Sequence, residues 1–217
     1  MRLGRMRQSR PNACRRAVLF AAASLVAASA SAGAAELDAV KEKAKPCIAC
    51  HGEAGISQTA NTPSLAGQPD QFVQWQLVYF RAGTRKHQDM AKIAADLADA
   101  DIRNLGAYFA ALAPPVAAAT ADANPVLTER GAQVARLKNC ASCHRDDYAG
   151  QQAIARLAGQ REDYLLKSLR DYKSGARTGG GVAAMPSAVY GLADDDLKAL
   201  AHYLARVRAT RSSPPPP

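Results

Sequence analysis

The sequence predicts an all-α protein of two tandem domains, on three observations. The first is an internal repeat: Cys47-Ile48-Ala49-Cys50-His51 answers to Cys140-Ala141-Ser142-Cys143-His144, Leu65-Ala66-Gly67-Gln68 to Leu157-Ala158-Gly159-Gln160, and Met90 to Met185. The second is helical periodicity within each copy, with few strand signals. The third is a Pro- and Ala-rich, nearly uncharged stretch over 114–125 that separates the copies as a linker would.

The elements follow in order. Arg2, Arg5, Arg7, Arg10, Arg15 and Arg16 form a basic head, an apolar run extends from Ala17 to about Ala30, and small residues follow at Ala30-Ser31-Ala32 and Gly33-Ala34-Ala35. That order is a secretory signal peptide over 1–35, with a retained anchor as the alternative; the run is shorter than the roughly 20 residues of a spanning helix. The first domain is then 36–113 and the second 126–210, with a disordered Pro-rich tail over 211–217.

In the first domain, helices are expected over Glu36–Lys45, Pro69–Arg81 and Asp99–Leu112; in the second, over Thr128–Lys138, Arg161–Lys173 and Asp194–Arg208. Phe72, Leu77 and Phe80 mark the apolar side of the first middle helix, as Tyr164, Leu169 and Tyr172 mark the second. Asp99, Asp101 and Asp194 to Asp196 open the closing helices, where carboxylates cap free N–H groups and favour the positive end of the helix dipole. Beyond each methionine the register is the same: Leu97 and Leu192, Asp101 and Asp196, Leu105 and Leu200, Tyr108 and Tyr203. Only the loop before the methionine differs, with an insertion at Gly179-Gly180-Gly181 in the second copy. Gly131 would let the closing helix approach under Tyr203; in the first copy Ala39 or Ala44 would serve near Tyr108.

The charge balance narrows the functional class. The chain carries 28 basic and 19 acidic residues, a net +9. Six of the basic residues and none of the acidic ones lie in 1–35, so the remainder carries only 22 against 19, or +3. The high isoelectric point is an artefact of the targeting segment and gives no support for nucleic-acid binding.

Five cysteines fall to four once 1–35 is removed, and all four sit in the two C-x-x-C-H motifs. This is the attachment motif for covalent haem c: Cys47 and Cys50 bond one porphyrin, Cys140 and Cys143 a second, and the following histidines, His51 and His144, reach the irons. A zinc site or a thioredoxin-like dithiol competes poorly, because each pair is followed directly by histidine, a whole repeat separates the pairs, and no βαβ pattern surrounds them. Outside 1–35 the chain has two methionines, Met90 and Met185, at matching places. They are the candidate sixth ligands; His/Met ligation raises the reduction potential and closes the iron to substrates.

Further assignments stay open at this level. His87, three residues before Met90, is the rival ligand in the first domain or else a solvent-facing loop histidine, and His202 reads as a surface residue. The carbonyl of Pro63, with Ala155 as its counterpart, is the candidate acceptor for the proximal histidine's other N–H. Arg85 and Arg177, two residues after Gly83 and Gly175, are candidates for haem propionates or solvated loop arginines.

With these motifs in place, the chain resembles the di-haem cytochrome c4 family over roughly 36–210. The resemblance implies two cytochrome c-like domains related by a pseudo-twofold, with haem edges facing across their interface. It implies a periplasmic protein, often loosely membrane-associated, that passes electrons from a quinol-oxidising cytochrome bc complex to a terminal oxidase. Ala155 in place of proline, His87 near Met90 and the glycine-rich insertion depart from the family pattern. An electron-entry subunit of a dehydrogenase or oxidase complex shares every one of these features. A di-haem peroxidase or sulfur-compound dehydrogenase would instead need an open or displaceable iron position with acid/base residues beside it. A methionine for each iron argues for an electron carrier rather than an enzyme.

Overall fold

The computed structural model describes residues 38–117, 124–178 and 184–209. The expected signal peptide over 1–35, residues 118–123 of the expected linker, the insertion Gly179–Gly181 and the expected tail over 211–217 lie outside the described residues.

Among the described residues the chain is helical, and its only β feature is a single antiparallel bridge between Gln151 and Ile154. The helices are α1 (38–51), α2 (Asp70–Arg81), α3 (Gln88–Ala95), α4 (Asp99–Ala111), α5 (Pro125–Leu137), α6 (Ala141–His144), α7 (Glu162–Ser174), α8 (Ala184–Val189) and α9 (Asp194–Arg206). None is long and apolar enough to cross a membrane.

Local chemistry accounts for the boundaries. Asn124 starts α5 earlier than the expected Thr128: its side-chain oxygen accepts from the N–H groups of Val126 and Leu127, and Pro125 sits at the first helical position, where a missing N–H costs nothing. Asn139, in the left-handed region at φ 51°, ends that segment and separates α5 from α6. In the first half the helix instead continues beyond the expected Lys45 through the whole Cys47–His51 motif. As the aspartates implied, the Asp101 and Asp196 carboxylates accept from the N–H groups of Ala98 and Ala193, just before α4 and α9.

Two separate apolar cores result. In the first, Val73 and Leu77 of α2 meet Ile102, Leu105 and Phe109 of α4. In the second, α9 packs on both α5 and α7, burying Leu197, Leu200 and Leu204. Gly131 of α5 lies against the Ala199 carbonyl and the Tyr203 Cβ, as its position implied, and Ala44 is fully buried in the core on which Tyr108 packs. Ala39 is exposed. Phe72 is only half-buried, and its backbone N–H donates to the Gln152 carbonyl of the other half.

The halves meet along a hydrogen-bonded seam. Gln160 clasps the Ser64 backbone, donating to its carbonyl at 2.8 Å and accepting from its N–H at 2.8 Å. Gln68 clasps the Arg156 backbone in the same way, at 2.9 and 3.0 Å. The glutamines are equivalent in the repeat, and so are Ser64 and Arg156, so the two clasps are related by a pseudo-twofold. Replacing Gln160 with leucine strips both bonds from buried Ser64, a loss of about 2 kcal/mol. Urea unfolding should show that loss, and faster amide exchange at Ser64 should accompany it; unchanged exchange there would mean that the clasp does not hold the seam.

The glycines preceding these glutamines serve the crossover between halves. Gly67 and Gly159 both adopt left-handed backbone, at φ 67° and 70°. The connecting chain runs over both: a Cβ on Gly67 would lie 2.6 Å from the Pro114 side chain, and one on Gly159 would lie 2.9 Å from the Pro115 carbonyl. The Leu-Ala-Gly-Gln repeat is thus a turn that faces the partner half and supports the linker.

Candidate haem-binding sites

Each C-x-x-C-H motif is held at the edge of its own core. Cys47 is a buried member of the first cluster and Cys140 packs against the second, while Cys50 and Cys143 are exposed. None of the four is in a disulfide. Burial raises the Cys47 and Cys140 thiol pKa values.

The histidines that follow are buried, at 6% exposure for His51 and 8% for His144. The Nδ1 of His51 lies 2.8 Å from the Pro63 carbonyl, and that of His144 lies 2.8 Å from the Ala155 carbonyl. A carbonyl only accepts, so in both rings Nδ1 carries the proton and Nε2 is the basic nitrogen. The bond is the same whether proline or alanine supplies the carbonyl, so the departure at Ala155 leaves it intact. Burial lowers both imidazole pKa values, against the raising effect of the carbonyls, and Arg85 and His87 lower that of His51 further. A neutral ring with a fixed tautomer is the form that binds iron.

Each methionine occupies the first turn of a short helix, Met90 in α3 and Met185 in α8, half-buried against the same cluster as its partner cysteine. The structure therefore gathers Cys47, His51 and Met90 around the first core, and Cys140, His144 and Met185 around the second. The donor set fits a c-type haem in each half: two thiols at one edge, one oriented imidazole and one thioether on an apolar wall.

His87 is exposed and caps α3, its Nδ1 accepting from the Met90 N–H at 3.4 Å. It positions the methionine's helix rather than sharing the core. The reading of His202 as a surface residue is corrected: it is 4% exposed, its Nε2 accepts from the Asn124 N–H, and its Nδ1 faces Glu162 at 3.2 Å. It ties the start of α5 to α7, and Arg206 joins the same carboxylate at 2.6 Å.

Arg85 and Arg177 are not solvated loop residues either. Arg177 is 8% exposed and Arg85 half-buried. Each stacks on an aromatic ring of its own half, Arg85 4.4 Å from the Phe80 centroid and Arg177 4.6 Å from that of Tyr172. Both donate to the Gln76 side-chain oxygen, at 2.7 and 3.0 Å, and Arg85 also donates to the Tyr164 hydroxyl at 3.1 Å. Burial pushes the Tyr164 phenol up, but the two guanidiniums outweigh it and bring its pKa down to about 7.

Comparison with known proteins gives the family. The cytochrome c family model matches residues 128–208. Cytochrome c4 of Azotobacter vinelandii is 34% identical over 181 residues, covering 75% of this chain and 84% of that protein. The chain belongs to the di-haem cytochrome c4 family. The crystal structure of reduced recombinant cytochrome c4 from Pseudomonas stutzeri superposes with a TM-score of 0.72 at 29% identity, covering 79% of this chain and 98% of that one. A thiosulfate dehydrogenase electron acceptor from Thiomonas intermedia is also similar, 32% identical over 77% of this chain and 81% of that protein. Membership of the cytochrome c4 family makes this an electron-transfer protein, not an enzyme, with covalent haem c as its cofactor.

Proposed function

We propose that this cytochrome c4 homologue is a periplasmic two-haem relay, exported by a cleaved signal over 1–35 and built of domains at 36–113 and 126–210. One haem is attached at Cys47 and Cys50 with His51 and Met90 as axial ligands; the other is attached at Cys140 and Cys143 with His144 and Met185. The observation that carries this reading is the pair of Nδ1-to-carbonyl contacts, each at 2.8 Å, which leave one oriented basic nitrogen beside each cysteine pair. Haem supplies a one-electron Fe(III)/Fe(II) couple. The protein's own part would be to fix each imidazole, offer the Met90 or Met185 thioether as a further ligand and keep water from the metal with two apolar cores.

The donor is a quinol-oxidising cytochrome bc complex and the acceptor a terminal oxidase. A second reading, electron acceptor to a dehydrogenase, is favoured by the similarity to thiosulfate dehydrogenase electron acceptors of Thiomonas intermedia and Stutzerimonas stutzeri. Intact mass of the protein matured with a cytochrome c assembly system should show two haem additions on a chain that starts near residue 36. The double variant Cys47→Ala/Cys50→Ala should carry one. A wild-type chain with a single haem would sink the relay. Rapid mixing with a reduced bc complex, and separately with thiosulfate dehydrogenase and its substrate, identifies the donor by which one reduces the haems within milliseconds.

A further inference from the structure

We propose that Gln160 and Gln68 are positioning residues for the axial histidine of the opposite half, each acting through a single peptide group, so that each half sets the potential of the other half's haem. The proposal rests on the two-haem reading above.

Each glutamine stands one peptide away from a buried imidazole. The Pro63 carbonyl accepts from His51 Nδ1 at 2.8 Å, and the N–H of that same peptide group, which belongs to Ser64, donates to the Gln160 side-chain oxygen at 2.8 Å. In the other half the Ala155 carbonyl accepts from His144 Nδ1 at 2.8 Å, and the N–H of its peptide group, from Arg156, donates to the Gln68 oxygen at 3.0 Å. A trans peptide is planar and points its C=O and N–H in opposite directions. One rigid unit therefore bridges each imidazole to a glutamine of the other half. Chemistry fixes the orientation of both side-chain amides. The backbone N–H groups only donate and the Ser64 and Arg156 carbonyls only accept, so oxygen must face the N–H and nitrogen the carbonyl. Ser64, Gln68 and Gln160 are all buried, which keeps water from replacing these bonds.

Hydrogen bonds in such a chain polarise one another. When the peptide N–H donates to the glutamine, the carbonyl oxygen of that peptide becomes more negative and a stronger acceptor for Nδ1–H. The imidazole is then the more basic iron ligand. Greater basicity favours Fe(III) over Fe(II) and lowers the potential. The arrangement is reciprocal: Gln160 acts on His51, and Gln68 acts on His144.

The test is a spectroelectrochemical titration of the full-length holo-protein carrying Gln160→Met or Gln68→Met, with the two waves told apart by the one that Met185→His displaces. Gln160→Met is expected to raise the potential of the first haem and leave the second nearly in place. Its oxidised-to-reduced ratio at a fixed electrode potential should fall by about threefold, equivalent to about 28 mV for one electron. Gln68→Met should raise the second and spare the first. A shift confined to the haem of the same half, an equal shift of both, or no shift at either would overturn the proposal and leave the clasps purely structural.

Through-hydrogen-bond NMR couplings in the reduced, diamagnetic wild-type holo-protein give a reading that does not depend on the variants folding. The Ser64 amide nitrogen should couple to the Gln160 side-chain carbonyl carbon, and the Arg156 amide nitrogen to that of Gln68. Rapidly exchanging amides at Ser64 and Arg156 with neither coupling would break the chain and overturn the proposal. A haem count other than two would instead sink the relay reading, which the intact mass reports separately.

Discussion

Met185→His is expected to lower the potential of the second haem by a substantial part of the roughly 0.8 V that axial ligands command. A thioether stabilises Fe(II) relative to an imidazole, so His/His ligation favours the oxidised iron. Met185 lies half-buried in the first turn of α8, packed against the second core, while Met90 belongs to a separate core. The first haem should therefore move by much less, through space alone. A redox titration would show one wave displaced and the other nearly in place. In the oxidised protein about half of the weak near-infrared absorption of Met–Fe(III) should disappear. An unmoved second wave with the absorption intact would remove Met185 from the ligand set. Met90→His is the more complicated variant, because His87 already caps the N–H of residue 90.

Gly131→Ala should destabilise the second half by about 3 kcal/mol or more, although intrinsic propensity favours alanine in a helix by about 1 kcal/mol. The clash decides the sign. A Cβ at this position would stand 2.1 Å from the Ala199 carbonyl oxygen and 2.6 Å from the Tyr203 Cβ. Neither is the end of a flexible side chain, so α5 would have to lift from α9, and overpacked cores typically lose 1–3 kcal/mol even where side chains can yield. Urea unfolding followed at the second haem's absorption should show the loss, while the first half keeps its midpoint. A variant as stable as the wild type would mean that the contact between α5 and α9 is looser than the structure shows.

Legibility of the fold and sites in the sequence followed how far each residue's role is set by its own neighbours in the chain. The C-x-x-C-H motifs, the methionine register and the carbonyls of Pro63 and Ala155 were readable because attachment and ligation fix spacing locally. Gly131 was readable because a glycine inside a helical pattern demands a close neighbour. The seam was not. The repeat marks Gln68 and Gln160 as equivalent, but nothing in one copy says that its glutamine reaches the backbone of the other. For Arg85 and Arg177 the sequence left solvated loop arginines as one of two readings for the same reason, since the contacts of Arg177 with Gln76 and of Arg85 with Tyr164 form only where the halves meet. His202 was hidden because α9 is packed from two sides; Ala199, His202 and Ala205 form a second buried stripe that small residues disguise. The first turn of α3 was hidden too, because its cap is the side chain of His87, not one of the residues that usually open a helix.

The two glutamine clasps bind backbone atoms only, Ser64 on one side and Arg156 on the other. Such contacts depend on where the main chain runs and not on which side chains it carries, so sequence drift in either half leaves them intact. A pair of identical halves could make both clasps at once. The two clasps thus have the self-complementary form of an isologous homodimer interface, held within a single polypeptide.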